Sequence, residues 1–247
     1  MNRMRLLRRS GSSTGAEYIL LLFILSSVSA GSLLERTLNT GTNLFEQDKL
    51  IIIGSGLTGA AAAYCMEDRD GHRGILPFEP FTTMDRIDNA AFGYALPAAS
   101  VALWAGGEVF RKNSIASTGE SLCRGLFYTY GITEILKRGT QRERPDGSNF
   151  RSFPSAHGAG AACAAAVLWN RHGPEAGIPA AAVALYTCIS RVNTGVHYPS
   201  DVVMGAALGT ACGLAAAAAS SEEDRADDGI RLGISINSNG RITPVLW

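Results

Sequence analysis

Ser190-Arg191-Val192-Asn193-Thr194-Gly195-Val196-His197-Tyr198-Pro199-Ser200-Asp201 joins two apolar, small-residue runs, 178–192 and 200–219. Ser190-Arg191 ends the first run, and His197 to Asp201 opens the second. Proline is tolerated in a first helical turn, which fits Pro199 to the start of a helix. His197 and Asp201 stand four apart and so share one face of that turn. The junction therefore reads as helix, short connection, helix. The same rhythm runs through the chain. Segments at about 18–30, 50–66, 89–107, 121–137, 156–170, 178–192 and 200–219 read as helical or apolar. Polar connections marked by Gly and Pro separate them, such as Asp146-Gly147-Ser148-Asn149 and Gly173-Pro174. This is the pattern of an all-α helical bundle. The tail differs. Glu222 to Asp228 reads as a polar linker. Alternating Leu232, Ile234 and Ile236, then Asn239-Gly240, then Ile242, Val245 and Trp247 predict a short C-terminal β-hairpin. Pro244 makes its second strand an edge.

With 247 residues, 46% of them apolar and 18% charged, the chain has ample material for one core. A net charge of zero argues against a nucleic-acid partner held by counterion release. Arg3, Arg5, Arg8 and Arg9, an apolar run from Tyr18 to Leu25, and Val28-Ser29-Ala30 form a secretory-signal pattern over 1–30. An uncleaved anchor is the alternative. Cleavage after Ala30 removes four arginines and Glu17, a change of −3. The expected organisation is 1–30 signal or anchor, 31–220 helical domain, and 221–247 linker and hairpin. Leu50–Met66, Asn89–Gly107 and Val202–Ser221 approach spanning length without a charge, but they are built on Ala, Gly and Ser. That composition favours a soluble or peripherally attached protein, with a membrane-embedded bundle as the alternative. The five cysteines, Cys65, Cys123, Cys163, Cys188 and Cys212, form no CxxC pair and read as small core residues.

Two further stretches carry chemistry-bearing side chains. Lys137 opens a basic run ending at Arg144-Pro145. Pro154-Ser155-Ala156-His157 precedes an Ala-rich helix, whose first backbone N–H groups are unpaired and suit an anion. Lysine neutralises phosphate charge, and arginine adds a planar fork matching two oxygens. Ser155 offers a hydroxyl. Asp201 can hold the His197 ring in the tautomer that leaves its other nitrogen free to attack.

Lys137-x6-Arg144-Pro145, Pro154-Ser155-Ala156-His157, and Ser190-Arg191-x5-His197-x3-Asp201 together resemble the signature of the type 2 phosphatidic acid phosphatase superfamily, which includes class A acid phosphatases and vanadium haloperoxidases. All three blocks stand in order with their internal spacing intact, over about residues 120–220. The resemblance implies a metal-independent phosphatase with no cofactor. In that family's scheme Lys137, Arg144 and Arg191 would clamp the phosphate oxygens, with Ser155 and the Ala156 amide as further donors. His197 would attack phosphorus, oriented by Asp201, and His157 would protonate the leaving alcohol and later activate water. A lipid phosphate, a broader set of phosphomonoesters and a lipid-linked pyrophosphate are all compatible substrates. A vanadate-dependent haloperoxidase is the alternative chemistry for the same residues. The resemblance also implies a periplasmic or otherwise extracytoplasmic location. Ala156 replaces the usual glycine of the second block and adds a Cβ beside the site. Only eight residues, Asp146 to Phe153, separate the first two blocks.

Arg138, Arg142 and Arg151 fall outside the signature and read as solvated. His72 and His172 have no partner pattern. Gly54-Ser55-Gly56-Leu57-Thr58-Gly59 matches a dinucleotide-binding fingerprint, but no second strand follows it. Its glycines read as close-packing points in a helix.

Overall fold

The computed structural model describes residues 30–67, 91–229, 232–236 and 242–246, with side chains over 33–67 and 93–220. Seven α-helices lie among the described residues. They are α1 (Ala30–Asn43), α2 (Gln47–Met66), α3 (Leu96–Val109), α4 (Asn113–Thr140), α5 (Ala156–His172), α6 (Pro174–Asn193) and α7 (Pro199–Gly229). A π-helical turn, Ala91–Ala95, leads into α3. The expected all-α bundle is what forms. The signal-like segment before residue 30, and His72, lie outside the described residues.

The centre of the bundle is α7, which packs against α1, α2, α4, α5 and α6. Small residues allow this. Gly205, Gly209 and Gly213 recur every four residues on α7, and a Cβ at each would run into the carbonyl of Ser155, Ala159 or Cys163 respectively. Those three carbonyls recur every four residues on α5. Two stripes of equal period thus hold the helices side by side and parallel, with both amino termini at the same end of the bundle. Around them Ala159, Cys163, Val167, Leu208, Ala211, Cys212 and Ala215 are buried. On α2, Gly56 abuts Ala207 of α7, as a packing point should, whereas Gly54 faces open space. The fingerprint glycines are therefore helical and not a phosphate loop.

Three expectations need correction. The residues after Ala30 form α1, which the sequence reading left unassigned. Its buried face is Leu33, Thr37 and Thr40, so polar threonines stand where hydrophobic periodicity would look for apolar residues. Thr37 and Thr40 satisfy their hydroxyls on the carbonyls of Leu33 and Arg36, at 2.7 and 2.9 Å. Cys65 is exposed, unlike the buried Cys123, Cys163 and Cys212, and all five cysteines are free. Finally, α7 is helical through Glu222–Asp228, where charge alone suggested a linker. Beyond it, β1 (Leu232–Ile236) and β2 (Ile242–Leu246) pair antiparallel with Pro244 opposite Ile234. Asn239-Gly240 lies outside the described residues.

Among the described residues, two helices, α2 and α7 up to Ser220, are long and apolar enough to cross a membrane. They differ in cover. The α7 stretch is mostly buried, whereas on α2 only Lys49, Gly56 and Ala60 are buried.

Candidate active site

Two helix N-termini and two helix C-termini meet at one end of the bundle. The C-terminal end of α4 supplies Lys137, and Gln141 in the left-handed region (φ 45°) turns the chain sharply behind it. Lys137 is buried, and its Nζ donates to the carbonyls of Arg151 and Ser152 at 2.6 and 3.3 Å. These two bonds leave one ammonium hydrogen uncommitted. The connection from α4 to α5 then folds on itself. The Arg144 amide donates to the Asn149 carbonyl at 2.9 Å, and its own carbonyl accepts from Gly147, whose φ of 66° needs glycine. Arg144 Nε is buried with no hydrogen-bond partner among the described residues.

At α5, Ser155 is the N-cap and accepts from the Gly158 amide at 3.4 Å. Its own amide donates to the Asp201 carbonyl at 2.9 Å, tying the start of α5 to the first turn of α7. Ala156 and His157 fill the first turn of α5, where backbone N–H groups have no helical acceptor. At the other junction, the last turn of α6 carries Ser190 and Arg191, and Gly195 (φ 71°) turns the chain. The His197 amide donates back to the Arg191 carbonyl at 3.2 Å. Asp201, third in α7, accepts from the Tyr198 amide at 2.9 Å, the reach-back of a capping box. The same carboxylate oxygen lies 3.4 Å from His197 Nδ1. His197 and Asp201 are both buried. All eight residues of the sequence reading therefore sit at this one end, and the spacing of four does put His197 on Asp201.

Burial first, and neighbouring charge second, set their protonation. Burial pushes the Lys137 ammonium down to about 7, and neighbouring Arg144 pushes the same way. Burial also lowers His197 to about 4, with Lys137 and Arg144 adding to it and Asp201 opposing. His157 falls to about 3 through burial and the charges of Arg191, Lys137 and Arg144. Burial holds Arg144 below its ordinary value as well, with Arg191 acting in the same sense. Each group is perturbed by the others, so they share one field. That field is strongly positive and favours an anion.

Sequence reasoning missed part of this arrangement. Arg142 is not solvated. Its Nη1 donates to Asp201 Oδ1 at 2.7 Å and to Ser200 Oγ at 2.6 Å, and its Nη2 donates to Glu67 Oε2. Ser152 Oγ donates to Asp201 Oδ2. Arg151 pairs with Glu134 instead of standing free. Arg138 is exposed and pairs with Glu134 at 2.7 Å, as a surface residue would. His172 has a partner after all, with Nε2 at 2.9 Å from Thr118 Oγ1 at the far end of α4. A cavity of about 380 Å³ adjoins Arg142, lined by Leu57, Ala60, Ala61 and Tyr64 of α2 with Thr140, Phe153 and Ser200.

Comparison with known proteins places the same stretch. Residues 120–225 match the PAP2 superfamily. A decaprenylphosphoryl-5-phosphoribose phosphatase of Mycobacterium tuberculosis is 39% identical over 99 residues, covering 36% of this chain and 54% of that protein. Phosphatidylglycerophosphatase B of Bacillus subtilis is 35% identical over 94 residues, covering 32% of this chain and 46% of that one. The chain thus spans about half the length of these curated relatives. A crystal structure of a transmembrane PAP2 type phosphatidylglycerolphosphate phosphatase from Bacillus subtilis aligns with a TM-score of 0.49 at 22% identity, over 86% of this chain and 96% of that chain. The segment that matches the PAP2 superfamily, residues 120–225, is the one that carries the helix junctions building the cationic end of the bundle.

Proposed function

We propose that this protein is a phosphatase acting on phosphate esters with an apolar portion, such as lipid phosphates, through His197 as nucleophile. One observation carries the reading: Lys137 and Arg144 act on the buried His197 ring, whose Nδ1 meets the Asp201 carboxylate, and Arg191 acts on neighbouring His157 and Arg144. Asp201 on Nδ1 favours the tautomer with its proton there, so the Nε2 lone pair is free to attack phosphorus. The P–O bond to the leaving group breaks in line, and the three cations stabilise charge on the equatorial oxygens. His157 gives its proton to the departing alkoxide. It then takes one from the water that hydrolyses the phosphohistidine. A resting His157 near 3 is unprotonated at neutral pH. A phosphate dianion among the cations reverses the sign of the local field and lets the ring take up the proton it must deliver.

The relatives are phosphatases by name, two of them for phosphorylated lipids, which supports the reaction class. The uncovered apolar surface of α2 and the cavity beside Arg142 support an apolar substrate portion and membrane association. The signal-like amino terminus supports placing the site outside the cytoplasm. The test is phosphate release from phosphatidic acid in detergent micelles and from p-nitrophenyl phosphate. His197→Ala is expected to lose activity by roughly 10³-fold or more on both. Wild type quenched in alkaline SDS, where a phosphorus–nitrogen bond survives, should carry phosphate on histidine. Full activity in His197→Ala would end the proposal.

A further inference from the structure

A line of alternating charge runs from the nucleophile to the end of α2. His197 meets Asp201; Asp201 meets Arg142; Arg142 meets Glu67, the C-cap residue of α2. Glu67 also closes back on the site, since its Oε1 accepts from the Ser200 amide at 2.9 Å. Its side chain is 1% exposed, that of Asp201 0% and that of Arg142 18%, so little water intervenes. The guanidinium stacks 3.9 Å above the Tyr198 ring, with Tyr64 at 5.1 Å on α2. Only a planar fork serves this geometry. One guanidinium nitrogen reaches Asp201 and Ser200 while the other reaches Glu67, a division a lysine ammonium cannot reproduce.

We propose that Arg142 and Glu67 are positioning residues for the His197–Asp201 pair, fixing the carboxylate and dividing its charge between the imidazole and the guanidinium. The inference rests on His197 being the nucleophile. Its logic is electrostatic. Asp201 favours the protonated ring, which cannot attack. Arg142 takes part of that carboxylate's charge and so keeps the ring neutral. Glu67 in turn takes part of the charge of Arg142. Removing the two partners should therefore move His197 in opposite directions. The other groups acting on the ring are Lys137 from α4, Arg144 from the following loop and His157 from α5, with Arg191 from α6 acting on His157. All are cationic or neutral, and none changes in the variants.

The experiment compares wild type, Arg142→Gln, Arg142→Lys and Glu67→Gln in detergent. Two readouts are taken: the pH profile of p-nitrophenyl phosphate turnover, and the titration of the His197 ring by nitrogen-15 NMR, assigned with His197→Ala. Arg142→Gln should lower kcat by about tenfold or more with KM within a few-fold, and raise both the acid limb and the ring midpoint by roughly half a pH unit. Glu67→Gln should move the ring midpoint down, and Arg142→Lys should recover part of kcat. Ring midpoints that stay put in all three variants, or shift the same way in Arg142→Gln and Glu67→Gln, overturn the proposal even if thermal stability falls. If Arg142→Gln does not fold, Glu67→Gln decides, and an unmoved midpoint there overturns it. If wild type turns over no ester, the phosphatase reading fails by itself and the ring titrations still judge the relay.

Discussion

Lys137 is held where its charge depends on what it faces. Its Nζ lies against two carbonyls and near Arg144, and burial sets its pKa at about 7 in place of 10.5. The folded value lies below the unfolded one, so between the two the unfolded chain binds more protons, and this lysine opposes folding less as pH rises through that window. A bound dianion reverses the preference and draws the proton back. Phosphate binding at pH 8 should therefore take up a fraction of a proton. Calorimetry in Tris and in a low-enthalpy buffer would measure it as a difference in apparent binding heat. Lys137→Met should remove most of the difference and weaken phosphate by roughly tenfold or more. Equal heats in both buffers for wild type would contradict the assignment. The cations and imidazoles of this site were legible because each block keeps its members a few residues apart on one junction. Arg142 and Ser152 were not, because their meaning lies in contacts to Asp201, 59 and 49 positions away. Glu67 is 75 positions from Arg142, and no local pattern announces such a pair.

At the scale of elements, the α5–α7 contact fixes the site, because the same glycine stripe that joins the helices brings Ser155 beside Asp201. Gly205→Ala would push its new Cβ against the Ser155 carbonyl, and Gly209→Ala against that of Ala159. Neither neighbour is a flexible side-chain end that could swing aside. Both substitutions should destabilise by about 1–3 kcal/mol, the usual range for overpacking. On the proposed function, Gly205→Ala should also lower p-nitrophenyl phosphate turnover, since it shifts the start of α5. Gly54→Ala meets nothing within 4 Å and should stabilise by up to about 1 kcal/mol through helix propensity alone. Thermal midpoints of the three variants in detergent would check the order. Helix periodicity and Gly/Pro punctuation made α2 to α7 visible in sequence. They missed α1, whose inner face is threonine as much as leucine. They also stopped α7 too early, because a charged, alanine-containing stretch continues an established helix as readily as it forms a linker.

For the whole molecule, the question is what covers α2. The helix has 20 residues. At about 1.5 Å per residue that is about 30 Å, the thickness of a bilayer's hydrocarbon. Leu50, Ile51, Leu57 and Met66 are exposed on it, and Ile178, Val183 and Leu185 are exposed on α6. Glu67 ends α2 beside Arg142, so a bilayer that covers α2 would put the cationic end of the bundle at headgroup level. A lipid phosphate could then meet the cations while its chains stay in the hydrocarbon. The expected behaviour is flotation with phosphatidylcholine vesicles that persists in 1 M salt, because the contact is apolar and the net charge is zero. Ile51 and Gly54 share an exposed face of α2 on the half away from the site. Changing both to Asp adds up to about 2.5–3.5 kcal/mol per residue to the cost of lying in hydrocarbon, the figure for the middle of a spanning helix. The double variant should leave the vesicle fraction and lose turnover of vesicle-borne phosphatidic acid, while p-nitrophenyl phosphate turnover stays within about twofold of wild type. Flotation that survives the double substitution would show that α2 is not the surface lipid covers. Loss of soluble-ester turnover alongside it would show that α2 holds the site together and does not merely seat it at the membrane.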